Sequence, residues 1–493
     1  MCSLIVLVFL FVFLLVADTL YTRVPKNFPP GPVALPFIGN AFQLNIKEPH
    51  IQFCKFAEKY GDIFSLRLGS SNFVTLNGFK VFKEAVVHQT DAFAGPISDP
   101  LVNELLKGHG IQCSNGHVWK EQRKFAVTTL RNFGVGQKSL EERILEEIKH
   151  LHNAFEEEKG EYLRQPFNPH YKISNAVTNI ICSIVFGERY EYNDTSLQEL
   201  LHSLNKIEHA CFLLQLYILF PTIMKHLPGP HNNIFVLWEK ILEYLREKIQ
   251  KHRDTWNPTE PRDFIDCFMS EMEKGTPNSS FHEENLLHST VDLFLAGTET
   301  TSTTLRWALL YMAAYPDIQE KIHAEIESVI GLSRQPMVDD KPNLPYTNAV
   351  IHEIQRKSNI VPLNLTRETT RDTTIGRYLI PKVIGTEILD AKASFETNKS
   401  ELAVPQAPTT LLGSAVAYPT VLKVTQVAVE EARSGRKRNC MGEMLARMEL
   451  FLFFTSFLQK FKFQVPEGVE ISLDGRMGMT LAPLPYRICA IPH

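Results

Sequence analysis

Two hydrophobic patterns stand out along the chain. The first, "LIVLVFLFVFLLVA" at residues 4 to 17, is an unbroken apolar run with no charge before Asp18. With its flanks it reaches about 20 residues, the length that spans a bilayer. The second is helix-periodic, "FHEENLLHSTVDLFLAGTETTSTTLRWALLYMAAY" at residues 281 to 315. Ser280 and Glu283 read as a capping box at its start, and Pro316 as its stop. Shorter helical patterns are expected at 317 to 330, 346 to 357 and 441 to 460. Period-two runs predict strands at 62 to 69, at 72 to 78 and at the chain end. No βαβ alternation, GxGxxG, P-loop or repeat occurs. The expected class is mainly α with a small β part.

This pattern divides the chain into an anchor helix at 1–21, a connector at 22–40 and one catalytic domain at 41–493. The connector holds Pro29, Pro30, Pro32 and Pro36, which restrict φ and remove donors, so it reads as stiff and extended. The run has no positive n-region and no small-x-small cleavage site, which favours a retained signal anchor over a cleaved peptide. Arg23 and Lys26 follow it and place the rest of the chain on the cytosolic side.

Composition adds exclusions. A net charge of −4 argues against a nucleic-acid binder. Eight scattered cysteines without a CxxC pair fit neither a disulfide framework nor a zinc site, and suggest a reducing compartment.

Four constellations carry chemistry. In "AGTETT", Ala296 and Gly297 clear a space beside Glu299 and Thr300. A mid-helix threonine also commonly bonds its own i−4 carbonyl. In "EIQR", Glu353 and Arg356 are spaced to pair on one helix face. In "WKEQR", Trp119 and Arg123 stand four apart, an N–H and a guanidinium suited to an anion, or a half-buried indole beside a solvated arginine. Cys440 precedes the last long helix with Arg436, Lys437 and Arg438 nearby, a setting that favours thiolate, although a lone cysteine is more often structural.

Taken in order as WxxxR, AGxETT, ExxR and RxCxG before a helix, behind a membrane anchor and "PPGP", the chain resembles the cytochrome P-450 superfamily of haem-thiolate monooxygenases. "NIICSIVFGERYEY", "SSFHEENL" and "YTNAVIHEIQR" resemble the microsomal vertebrate family two, nearest the arachidonate-epoxygenase J-type subfamily and its fish relatives. The likeness is read over residues 1 to 384 and 437 to 493.

The resemblance implies haem b with Cys440 as axial thiolate, whose electron donation favours O–O cleavage. It implies that Trp119, Arg123, Arg367 and Arg438 hold the haem propionates, that Ala296 and Gly297 leave room for dioxygen, and that Glu299 and Thr300 deliver protons. Glu353 and Arg356 become a buried pair. An apolar substrate pocket is expected from the loop near 109 to 115, the region 205 to 217, Asp292 to Thr300, Val361 to Leu363 and the turn near 478 to 483. Also implied are oxidation of polyunsaturated fatty acids or xenobiotics, NADPH used through a flavoprotein reductase, cytochrome b5 as a second donor, and the endoplasmic reticulum membrane. No nucleic-acid partner is expected.

One stretch departs from the family. Residues 385–434 lack its proline-rich meander and contain only Phe395 and Tyr418 as aromatics. Arg433 and Arg436 stand where the family has Phe and Gly before its cysteine. A membrane-anchored, catalytically inactive protein without haem, or an aberrant product, is therefore the alternative expectation. A peroxide-using haem isomerase is disfavoured by Glu299 and Thr300, which such chemistry does not need.

Overall fold

The computed structural model describes residues 2–45, 47–97, 99–158, 165–208, 217, 219–389 and 437–493. The apolar N-terminal run forms a helix, Cys2–Tyr21, with its apolar side chains exposed all round. Its Leu4–Tyr21 window, with mean hydropathy 2.7, is long and apolar enough to cross a membrane. The foot of this helix is fastened to the body. Arg67 Nη1 donates to Asp18 Oδ2 at 3.2 Å and to Thr22 Oγ1 at 2.7 Å.

The proline-rich connector is not a free spacer. Ser65 N donates to Pro30 O and Ser65 Oγ to Pro29 O, both at 2.7 Å. Gly39, at φ +65°, lies where a Cβ would stand 2.1 Å from the Arg67 carbonyl oxygen, so only glycine lets the chain lie against this strand. The connector is thus laid along the sheet.

That sheet has the strand order Ile63–Leu68, Ser71–Asn77, Gly385–Leu389, Arg367–Glu368. The first pair is antiparallel, with Phe64 opposite Thr75, as the alternating pattern expects. The third strand runs parallel to the second, Phe73 opposite Gly385 and Asn77 opposite Leu389. Ordinary sheet structure therefore continues into the stretch expected to depart from the family. The rest of that stretch, with Arg433 and Arg436, lies outside the described residues.

The long helix Glu283–Ala314 forms the centre of the body. It packs on helices His170–Val185, Pro345–Ser358 and Glu443–Lys460. Helix Glu443–Lys460 is buried over most of its length from Leu445 to Leu458, which suits a helix apolar on every side. The expected capping box is not formed. His282 is the N-cap and accepts from Asn285 N, while Ser280 is held by Glu121 of helix Gly116–Asn132, which takes its N–H at 2.8 Å. A distant partner has displaced the local one.

Gly297 serves a different purpose from the one expected. A Cβ there would stand 2.2 Å from Ile181 Cδ1 and 2.6 Å from Ile181 Cγ1. The missing side chain lets helix His170–Val185 approach; it does not enlarge the cleft. Gly297→Ala is expected to destabilise the fold by about 1–3 kcal/mol through overpacking, read as a lowered midpoint in denaturant unfolding.

Candidate functional site

The cysteine loop lies just before helix Glu443–Lys460, whose N-cap is Gly442. Cys440 is exposed. Its Sγ stands 4.0 Å from where a Cβ at Gly442 would be, so the small residue leaves the sulfur unobstructed on that side. The thiol faces the positive end of a helix, where a thiolate is favoured.

Three arginines gather beside it. Arg438 donates to the carbonyls of Ala94 at 3.1 Å, Gln112 at 3.2 Å and Ser114 at 2.8 Å. Its guanidinium lies 4.3 Å from the centre of the Trp119 ring, a cation–π stack. The indole thus supports Arg438, a contact the four-residue spacing to Arg123 does not name. Arg123 Nη2 donates to Asn439 Oδ1, a partner no sequence pattern announced. Arg367 Nη1 is buried and has no hydrogen-bond partner among the described residues.

These cations act on one another. Burial pushes Arg438 down to about 9, helped by repulsion from Arg367 and Arg123. Burial likewise pushes Arg367 down to about 10, with Arg123 adding to the fall. Arg123 is lowered by burial and raised back by Cys440. No described carboxylate forms an ion pair with any of the three. Buried unpaired guanidinium groups are costly. Planar forks with an orphaned N–H suit a group bearing two carboxylates. The residues present therefore fit the propionate edge of a haem, with Cys440 as the sulfur donor beside them.

The long helix supplies the opposite wall. Ala296 is exposed although it lies mid-helix, so a cleft reaches the helix there. Thr300 Oγ1 donates to Ala296 O at 2.8 Å, the i−4 bond anticipated for a helical threonine. Glu299 Oε1 accepts from Thr303 Oγ1 at 2.6 Å and from Thr480 Oγ1 at 2.9 Å. Thr303 and Thr480 were not foreseen; Thr480 brings the turn near 478 to 483 against the helix.

The pocket residues divide. Asp292 is buried, and its Oδ2 accepts from Ile111 N at 2.6 Å and Gln112 N at 2.9 Å. Burial pushes its carboxyl up to about 7 against those two bonds. It fastens the 110–112 loop to the helix. Since Gln112 and Ser114 also hold Arg438, this loop ties the long helix to the cysteine loop. Val361 is half-buried in the turn closed by Asn364 N on Val361 O at 3.1 Å. Leu363 packs against the small cluster of Phe53, Phe56 and Phe64, beneath the sheet. The pocket residues expected at 209–216 lie outside the described residues.

Glu353 and Arg356 pair as their spacing implied, with Arg356 Nε on Glu353 Oε2 at 2.7 Å and Nη2 on Oε1 at 2.6 Å. Both make further interactions, so the pair stands in a wider network. Among the described residues, His252, Asp263 and Asp266 form the one group whose donor atoms converge as a metal's would. Each is already engaged, His252 Nε2 with Asp263 Oδ2 at 2.7 Å and Asp266 with Arg262. This is a self-satisfied structural network.

A model of the family "Cytochrome P450" matches residues 29–399 and 434–490. The match continues to 399, beyond the limit of 384 read from sequence alone. Cytochrome P450 2J2 of Homo sapiens is 50% identical over 488 residues, covering 98% of this chain and 94% of the relative. Cytochrome P450 2J1 of Oryctolagus cuniculus is 49% identical over the same shares. Cytochrome P450 2C23 of Rattus norvegicus is 41% identical over 480 residues, covering 96% of this chain and 94% of the relative.

Proposed function

Because this chain belongs to the cytochrome P450 family, we propose that it oxygenates lipophilic substrates, polyunsaturated fatty acids foremost, by epoxidation or hydroxylation. It is a haem-dependent monooxygenase, an oxidoreductase with haem b as cofactor and NADPH used through a reductase. Bound haem supplies the redox centre at which dioxygen is cleaved and one of its atoms is transferred.

The observation that carries the reading is the group of half-buried, mutually repelling arginines with an orphaned Nη1 beside a helix-end cysteine. Cys440 would hold the haem iron through its thiolate. Arg123, Arg367 and Arg438 neutralise the propionates, and Trp119 backs Arg438. Ala296 keeps the helix wall low. Thr300 donates to Ala296 O, so its oxygen is left to accept from the cleft side, and it would hand a proton on only by turning its hydroxyl away from that carbonyl. Glu299, pinned by Thr303 and Thr480, is the inner end of that route. Val361 shapes the substrate side, and Asp292 acts through the loop it holds.

Family likeness and the apolar N-terminal helix support an endoplasmic reticulum anchor, and Arg23 and Lys26 behind it support a cytosolic domain. Exposed Lys120, with Lys437 beside it paired to Asp91, marks the face offered to the flavoprotein reductase and to cytochrome b5. The haem-deficient alternative has one observation in its favour: the family match breaks between residues 399 and 434.

The test is turnover in reductase-containing vesicles with an unsaturated fatty acid under ¹⁸O₂. The expected product gains one labelled oxygen atom per molecule and needs NADPH. A fully reconstituted preparation that yields no oxygenated product contradicts the proposal.

A further inference from the structure

The turn that meets Glu299 is tied to two other parts of the cleft. Strands Gly475–Met477 and Leu481–Pro483 form a hairpin with Met477 opposite Leu481, and Gly478 N donates to Thr480 O at 2.8 Å to close it. One residue past Thr480, Leu481 N donates to Ile360 O at 2.7 Å, and Leu481 O accepts from Trp307 Nε1 at 2.8 Å. The first bond reaches the turn that carries Val361, and the second reaches the long helix. Thr480 itself is buried. The backbone around it therefore sets where its hydroxyl lies.

Both hydroxyl donors to Glu299 fall on one oxygen. Thr303 donates to Oε1 at 2.6 Å and Thr480 to the same Oε1 at 2.9 Å, with the two hydroxyl oxygens 3.5 Å apart. Thr303 is the local partner, one helical turn on and on the same face. Thr480 arrives from 181 residues along the chain. Among the described residues no hydrogen bond falls on Oε2. A long side chain on a helix keeps its rotamer freedom unless its head is held. Hydroxyl donors to a carboxylate hold it well, because bonds to an ionised acceptor are the stronger kind. Two of them on Oε1 fix the group and leave Oε2 as the oxygen open to proton exchange.

We propose that Thr480 is a positioning residue for the oxygenation: its hydroxyl fixes Glu299 so that Oε2 takes and gives the protons, and it ties that acid to the turn expected to line the substrate pocket. The inference rests on the monooxygenase reading above. A substrate seated against the turn keeps both donors on Glu299, whereas a displaced turn withdraws Thr480 and leaves Thr303 alone. Proton delivery is thereby matched to substrate fit.

The unaltered chain and its variants are reconstituted with reductase in vesicles, and product is counted against NADPH consumed. Thr480→Val keeps the shape and loses the hydroxyl. It should lower product per NADPH about tenfold, the worth of one bond to a charged group, while substrate affinity holds. Thr480→Ser should recover most of that loss. Iodosylbenzene supplies an oxygen atom without dioxygen or protons, so with it the gap between Thr480→Val and the unaltered chain should shrink. Trp307→Phe frees Leu481 O and removes no bond of Glu299 or Thr480, and it should lower product per NADPH in the same direction. Denaturant unfolding reads the contact without turnover. Thr480→Val should lower the midpoint in the unaltered chain but not in a Glu299→Ala background, where the bond is already gone. Unchanged product per NADPH in Thr480→Val, or additive unfolding losses, overturns the role of Thr480. Unchanged product per NADPH in Trp307→Phe overturns the link to the turn. If the unaltered chain forms no product, the monooxygenase reading falls and this inference with it; if it forms product and Thr480→Val matches it, this inference falls alone.

Discussion

Cys440→Ser is expected to remove the thiolate signature completely. In the reduced, carbon monoxide-treated protein the strongly red-shifted Soret band disappears, and oxygenation of substrate falls to background. The effect is chemical. A serine hydroxyl remains protonated at neutral pH where a helix-end thiol ionises, so no anionic ligand is offered. The cost to the fold should be small, because Cys440 is exposed and only one atom changes. Unchanged unfolding together with a lost band is therefore the expected pair of results. A variant that keeps the band would exclude Cys440 as the ligand.

Glu353→Ala should have the largest effect on stability. It removes the two acceptor oxygens that Glu353 gives a guanidinium only 22% exposed, and so unbalances the wider network the pair belongs to. Breaking such a pair from one side costs about 3 kcal/mol, because the remaining charge stays desolvated. Arg356→Ala leaves the less exposed carboxylate behind and should cost about as much. Glu353→Gln keeps the shape and one acceptor and should recover part of the loss. Denaturant unfolding of the three variants reads the order directly. A loss below about 1 kcal/mol for Glu353→Ala would place the pair with ordinary surface bridges.

Sequence periodicity located the elements well because it reports local burial. The alternation across "DIFSLRLG" and "NFVTLNG" became the strands Ile63–Leu68 and Ser71–Asn77, and the long apolar helix runs from Glu283 to Ala314. What failed were inferences that needed a partner from far along the chain. Ser280 looked like a cap until Glu121 took its N–H and hydroxyl. Gly297 looked like room for a ligand until Ile181 filled it. Leu363 looked like pocket lining, yet it packs beneath the sheet. Spacing in one helix can name which residues share a face. It cannot name what arrives at that face. The motifs still placed the arginines and the cysteine in one neighbourhood, because each motif records a local backbone shape that the fold then uses.

The central claim is that Cys440 and the arginines around it hold haem through a thiolate. The most direct test is the reduced carbon monoxide difference spectrum of membranes carrying the unaltered chain. A strongly red-shifted Soret band is the predicted result. A band at shorter wavelength means haem held without the Cys440 thiolate, and no band means no haem held at all; either contradicts the claim.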